Sequence, residues 1–187
     1  MKFHALICAR AGSKGIKNKN IRLFKKKPLI SYPIKLAKKI KRIDSVSVST
    51  DSRKIADISK RYGADIPFIR SKKLSSSTAN EWDVWKDFVK KKNFKSKDDI
   101  IVILPATSPF RIKKDVEKCI SLYKKSFLDY VIVTTKASHN PHFNMVKKNE
   151  NNLVKICMPL KKKIIRRQDA PKIYNITTIC FVVSAKY

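Results

Sequence analysis

The residues best equipped for chemistry form one short segment, Ala9-Arg10-Ala11-Gly12-Ser13-Lys14-Gly15, which holds two of the chain's 3 glycines. Glycine lets a backbone take positive φ and lets N–H groups approach a phosphate closely. Arg10 and Lys14 add two cations that can neutralise a triphosphate and the charge that develops on its leaving group. Ser13 adds a hydroxyl. The spacing is neither the GxxxxGK[ST] loop nor the GxGxxG fingerprint. What singles it out is position: it directly follows the apolar run Phe3–Ala9, which reads as a strand. Ligands of open α/β sheets bind at the carboxyl ends of strands. The competing account is an ordinary turn with surface charges, and the placing of scarce glycines there favours a ligand.

The elements around this loop alternate between strand and helix. After a loop from Arg10 to about Pro28, Ile30, Ile34, Ala37 and Ile40 recur at helical spacing, with Ser31 as cap and Pro33 in the first turn. A strand follows at Ser45–Ser49. Asp51 or Ser52 then caps a helix carrying Ile55, Ile58 and Tyr62 that Gly63 ends. A short strand at Ile66–Ile69 leads to a polar loop, Ser71–Ser77. The next helix is expected to turn Trp82, Trp85 and Val89 inward. Ile100–Leu104 is the most apolar strand and therefore central. A helix with Ile112, Val116, Cys119, Ile120 and Tyr123 on one face precedes a strand at Tyr130–Thr134. Shorter strands are expected at Leu153–Met158 and Ile176–Val183. The pattern predicts an α/β fold, a mostly parallel sheet with helices on both faces. It is read as a single nucleotide-binding domain over 1–187.

Composition narrows the function. Of 187 residues, 44 are Lys or Arg and 14 Asp or Glu, a net charge of +30. The excess is 35 Lys against 9 Arg, scattered along the polar faces of the helices. Nucleic-acid recognition favours the arginine fork, so no nucleic-acid partner is expected; the charge reads as a solvated surface that also draws in anions. No apolar run approaches the roughly 20 residues of a membrane span, and the N-terminal run is too short for a signal peptide. A cytoplasmic location with no membrane partner is expected. The 4 cysteines lie far apart without a CxxC pair, so they read as buried free thiols. His139 and His142 have no carboxylate or cysteine cluster beside them.

At this loop the chain resembles the acylneuraminate cytidylyltransferase family, whose members open with a strand followed by AR-x-G-SKG-x-x-x-KN. Here those residues are Ala9 to Gly15, then Lys19-Asn20 and Pro28-Leu29-Ile30. Further blocks follow in the family's order: Val48-Ser49-Thr50-Asp51; Tyr62-Gly63-Ala64 with Arg70; Ala106-Thr107-Ser108-Pro109-Phe110-Arg111; and Arg166-Arg167-Gln168-Asp169 with Pro171 and Tyr174. The resemblance covers nearly the whole chain and implies a Rossmann-like nucleotide-diphospho-sugar transferase fold.

It also implies a reaction: an acidic sugar's anomeric hydroxyl attacks the α-phosphate of CTP and pyrophosphate leaves, with Mg2+ as cofactor. Arg10 and Lys14 would be catalytic, stabilising the leaving group. Ala11, Gly12, Ser13, Asn20, Arg70, Thr107 and Ser108 would bind the nucleotide. Arg167, Gln168 and Tyr174 would face the sugar, with the arginine fork on its carboxylate. Thr107-Ser108-Pro109 also reads as a helix start, and Asp51 as either a cap or a site residue. Family members dimerise through a segment near His139–Asp169, so a homodimer is implied. The sequence departs from the family at Pro105, where glutamine is common, and at Glu81, where some relatives carry a small hydroxyl residue. Family members carry a later Asp-x-Asp pair for magnesium; none follows Tyr174 here, and the chain is expected to be truncated at its C-terminus. Asp51, Asp65 and Asp169 are isolated, so the metal ligands stay open. A nucleotide-binding protein without turnover remains the alternative.

Overall fold

The computed structural model describes residues 1–94, 98–126, 128–162 and 164–186. In chain order, β1 is Lys2–Cys8, β2 Leu23–Phe24 and β3 Lys27–Pro28, followed by α1 at Ser31–Lys38, β4 at Ser45–Ser49, α2 at Arg53–Arg61 and α3 at Glu81–Lys92. Then come β5 at Asp99–Ile103, α4 at Lys113–Ser126, β6 at Tyr130–Lys136, β7 at Val146–Lys148, β8 at Val154–Ile156 and β9 at Tyr174–Ser184. The residues fall into two compact units, Met1–Val133 with Thr178–Tyr187, and Thr134–Thr177.

The first unit is built on a sheet of order β4-β1-β5-β9-β6, with β5 in the middle. β1 pairs in parallel with both β4 and β5, whereas β9 runs antiparallel to β5, Ile101 opposite Val183. β5 is buried along its whole length, as its unbroken apolar run requires. The period-2 alternation of strands divides the core. Ala5, Ile7, Ile100 and Val102 face one way, against Ile34 and Ala37 of α1, Ile55 of α2 and Val116 and Ile120 of α4. Leu6, Ile101, Ile103 and Val183 face the other, against Val84, Trp85 and Phe88 of α3. Phe88 is fully buried, and truncating such a side chain to alanine costs about 3–5 kcal/mol.

Several expectations need correcting. Trp82 is not core: it is 40% exposed. The buried face of α3 is Val84, Trp85 and Phe88, which leaves Trp82 on the flank against Trp85 and Tyr130. Ile112 is likewise exposed and lies before α4 begins. The stretch 66–69 forms no strand, only isolated bridges from Ser47 to Asp65 and Thr50 to Ile69. Ser31 is the first residue of α1 rather than its cap, and its hydroxyl donates to the Pro28 carbonyl. The loop after Arg10 hides a hairpin, β2 with β3, turned by Lys25 and Lys26 at φ 45° and 63°. Two-residue hairpin turns want positive φ at both positions, which Asn-Gly supplies more cheaply; lysines carry no such signal in sequence. Gly63, at φ 87°, does end α2, as expected.

The second unit carries the β7–β8 hairpin, with Val146 opposite Ile156. Asn140 organises its loop: its side-chain oxygen accepts from the His142 amide and its Nδ2 donates to the Pro171 carbonyl.

Candidate active site

At the carboxyl edge of the sheet, β1 delivers its last residues into a cavity of about 690 Å3. Arg10, Ser13, Lys14, Asn20, Arg70 and Thr107 all line it, from four different stretches of chain. The topology explains the convergence: in a parallel β4-β1-β5 arrangement every strand releases its following loop on the same edge.

The loop's shape is fixed by polar contacts beneath it. Asp51 Oδ1 accepts from the Ala11 amide at 2.9 Å, while the cap of α2 is Ser52, whose Oγ accepts from the Ile55 amide. Asp51 is therefore a loop anchor, which resolves the ambiguity left by the sequence. Asn20, buried, donates through Nδ2 to the Arg10 carbonyl at 2.9 Å. Arg10 Nη1 reaches the Ser76 carbonyl, so the loop is tied to the segment preceding α3. The Ser13 amide turns back to the Ala11 carbonyl. That leaves the amides of Gly12, Lys14 and Gly15 with no protein acceptor among the described residues.

Neither Gly12 nor Gly15 has positive φ, contrary to the expectation from their type, and a Cβ on either would meet nothing within 4 Å. These glycines keep the amides uncovered rather than permitting a strained turn.

Arg70 is 5% exposed, held by its amide to the Thr50 carbonyl and by Nε to Ser75 Oγ. Among the described residues no carboxylate lies within ion-pair distance of it. Such a guanidinium is poised for an anionic or polar ligand, because a buried charge without a counter-charge is costly. Ser108 does not join the lining: its hydroxyl bonds Thr178, at 2.8 Å to Oγ1 and 2.9 Å to the carbonyl. Arg167, Gln168 and Tyr174 belong to the second unit, where Arg167 Nη2 donates to the Ser138 carbonyl at 2.6 Å and Tyr174 opens β9.

Two lining residues had gone unassigned. Cys8 closes β1, and burial pushes its thiol up to about 12, against a smaller pull down from Arg70. It stays a neutral thiol and is no nucleophile. Glu81, the first residue of α3, also lines the cavity. Desolvation raises its pKa, opposed by the Trp85 indole and by Arg70. The indole Nε1 is buried and makes no well-formed hydrogen bond, so its influence on the carboxyl is one of proximity. The sequence flagged Glu81 only as a departure; its place at the start of the helix that floors the cavity was the available signal.

A cationic loop at a strand end, with unspent amides beside a large cavity, defines an α/β protein whose sheet edge is suited to an anionic ligand. The cytidylyltransferase family pattern matches residues 4–184, and the chain belongs to that family. It is 34% identical to post-translational flagellin modification protein B of Campylobacter coli, over 94% of this chain and 74% of that one. It is 32% identical to the CMP-N,N'-diacetyllegionaminic acid synthase of Campylobacter jejuni, over 97% and 77% respectively. Among solved structures, CMP:2-keto-3-deoxy-manno-octonic acid synthetase complexed with CTP superposes with a TM-score of 0.72 at 15% identity, covering 100% of this chain and 75% of that one. That likeness confirms the nucleotidyltransferase fold. No helix is long and apolar enough to cross a membrane among the described residues.

Proposed function

We propose that this chain transfers CMP from CTP to an acidic, sialic-acid-like sugar and releases pyrophosphate. The observation that carries the reading is the cavity at the β1 edge, where Arg10, Lys14 and unspent amides converge. The anomeric oxygen forms a bond to the α-phosphorus as the bond from that phosphorus to the bridging oxygen breaks. The electron pair leaves with pyrophosphate and the hydroxyl proton is lost to solvent. Chemistry of this kind needs positioning and charge stabilisation rather than a covalent nucleophile. Arg10 and Lys14 take the growing negative charge on pyrophosphate. Ser13 with the Gly12, Lys14 and Gly15 amides cradles the phosphates, and Asn20, through its hold on Arg10, keeps the loop in shape. Arg70 and Thr107 contact the nucleotide. Ala11 and Ser108 support the site from behind, through Asp51 and Thr178. Arg167, Gln168 and Tyr174 are assigned to the sugar acid on their sequence block.

Magnesium is part of the proposal. Among the described residues no three His, Cys, Asp or Glu gather into a metal cage, but magnesium on a triphosphate needs only one or two carboxylates beside phosphate oxygens and water. Glu81 fits that requirement: it lines the cavity and makes no ion pair within 4 Å among the described residues. Asp65 and Asp169 do not, since Lys92 and Arg166 already pair with them. The metal would supply charge neutralisation on the phosphates.

A homodimer is also proposed, supported by the exposed Met145, Val146, Leu153 and Val154 of the β7–β8 hairpin. Light scattering should give twice 21.6 kDa; a monomer at working concentration removes this part.

The test is pyrophosphate release from CTP and magnesium with a panel of nine-carbon and eight-carbon sugar acids. Release with one of them supports the reading. CTP binding without release for any acid supports instead a nucleotide-binding protein without turnover, and no CTP binding removes both.

A further inference from the structure

A second, smaller cavity of about 220 Å3 lies against α1 and shares no lining residue with the large one. Its walls carry Lys27, Lys35, Lys39 and Arg111, with the hydroxyls of Ser31 and Ser108, and none of the described residues lining it is acidic. Lysines alone would mean little on so basic a protein. Arg111 is different: it is only 8% exposed. Its Nε donates to the Ile179 carbonyl, and its Nη2 donates to those of Pro105 and Thr178 at 2.7 and 3.0 Å. Its remaining nitrogen, Nη1, is buried with no hydrogen-bond partner among the described residues.

Among the described residues no carboxylate lies within ion-pair distance of any of the four cations. Burial without a counter-charge drags the Arg111 guanidinium down to about 10. Lys35 and Lys39 stand one helical turn apart, where like charges repel. The Lys35 ammonium rests over the Tyr62 ring, 5.0 Å from its centroid, a contact that an anion can compete with. A hollow lined by four basic residues, one of them buried and incompletely bonded, lowers its energy by admitting an anion.

We propose that this cavity is a separate binding site for a small multivalent inorganic phosphoanion such as pyrophosphate. Lys27, Lys35 and Lys39 supply charge at its walls, and Arg111 supplies the fixed guanidinium. The site uses none of the loop from Arg10 to Gly15 and shares with the nucleotide reading only Ser108, which backs the larger cavity.

Pyrophosphate titrated calorimetrically at physiological salt tests it. In a Arg10→Ala/Lys14→Ala background the protein is expected to retain one pyrophosphate site. Adding Lys35→Ala/Lys39→Ala should weaken that site at least tenfold. Adding Lys86→Ala/Lys90→Ala, an exposed pair with the same spacing on α3, should leave it unchanged. No binding in the first background, or equal weakening by both lysine pairs, overturns the proposal in favour of a merely cationic surface. Stoichiometry provides a second readout on the otherwise intact chain: two pyrophosphates per chain falling to one on Lys35→Ala/Lys39→Ala supports the site, and an unchanged count overturns it.

Discussion

The two ends of β1 treat their polar groups in opposite ways. At the amino end, the Lys2 amide donates to the Asp98 carbonyl and the Phe3 amide to Asp44 Oδ2, each at 2.7 Å. His4 is spent at both ring nitrogens, on Ser45 Oγ at 2.9 Å and Asp99 Oδ1 at 3.0 Å, and stacks on Phe94. At the carboxyl end the anchors lie underneath, at Asp51 and Asn20, while the amides of Gly12, Lys14 and Gly15 and the Arg70 guanidinium keep bonding capacity in hand. One strand thus separates a closed polar cluster that serves stability from an open one with bonding capacity to spare for the proposed ligand. Satisfying buried polar groups stabilises a fold; leaving them accessible makes a site.

Substitutions at the two ends should therefore fail differently. Arg10→Ala/Lys14→Ala is expected to weaken CTP about 100-fold, since two charge-assisted contacts are worth about 3 kcal/mol together. Its melting temperature should stay near that of the parent, and a large drop in melting would blur the contrast. At the other end, His4→Ala strands two hydrogen-bond partners and should cost about 2 kcal/mol of stability. Calorimetry on the folded protein should then show CTP affinity unaltered. Asp51→Ala lies between these cases. It frees the Ala11 amide and loosens the loop, so CTP should bind about tenfold more weakly, roughly 1.4 kcal/mol, with little change in unfolding.

The smallest effect concerns pH. The folded-state pKa of the Cys8 thiol is raised, to about 12 from an ordinary 9.0. The protonated thiol is the form that the fold accepts, so its contribution is complete below pH 9 and is lost as pH rises toward 12. Denaturant midpoints should fall less steeply above pH 9 in Cys8→Ser than in the parent; identical alkaline slopes would show that the thiol is not held neutral.

Much of the fold could be read from the sequence because buried strands announce themselves. The Ser45–Ser49 strand has the expected limits and Asp99–Ile103 is central, since the first follows from a period-2 alternation and the second from an apolar run, neither of which needs tertiary information. Trp82 failed because aromatic size was mistaken for depth, when the helical phase of Val84, Trp85 and Phe88 sets the inner face. The β2–β3 hairpin failed because lysines occupy its two positive-φ positions.

In the site, Arg10, Ser13 and Lys14 of the loop were legible and share one cavity with Asn20, Arg70 and Thr107, whereas Ala11, Gly12 and Ser108 are not among its lining residues. The choice between Asp51 and Ser52 was not, because either side chain can cap a helix and only geometry shows which one does. Glu81 and Arg111 escaped for a related reason. Their interest lies in what they lack among the described residues, an ion-pair partner, and a sequence cannot display a missing neighbour.

The central claim concerns three amides, and they can be watched one at a time. In nitrogen-15 correlation spectra, CTP should move the Gly12, Lys14 and Gly15 resonances strongly and slow their hydrogen exchange, while His4 and its neighbours stay put. If CTP binds and those three amides neither shift nor gain protection, the triphosphate is held elsewhere and the account is wrong.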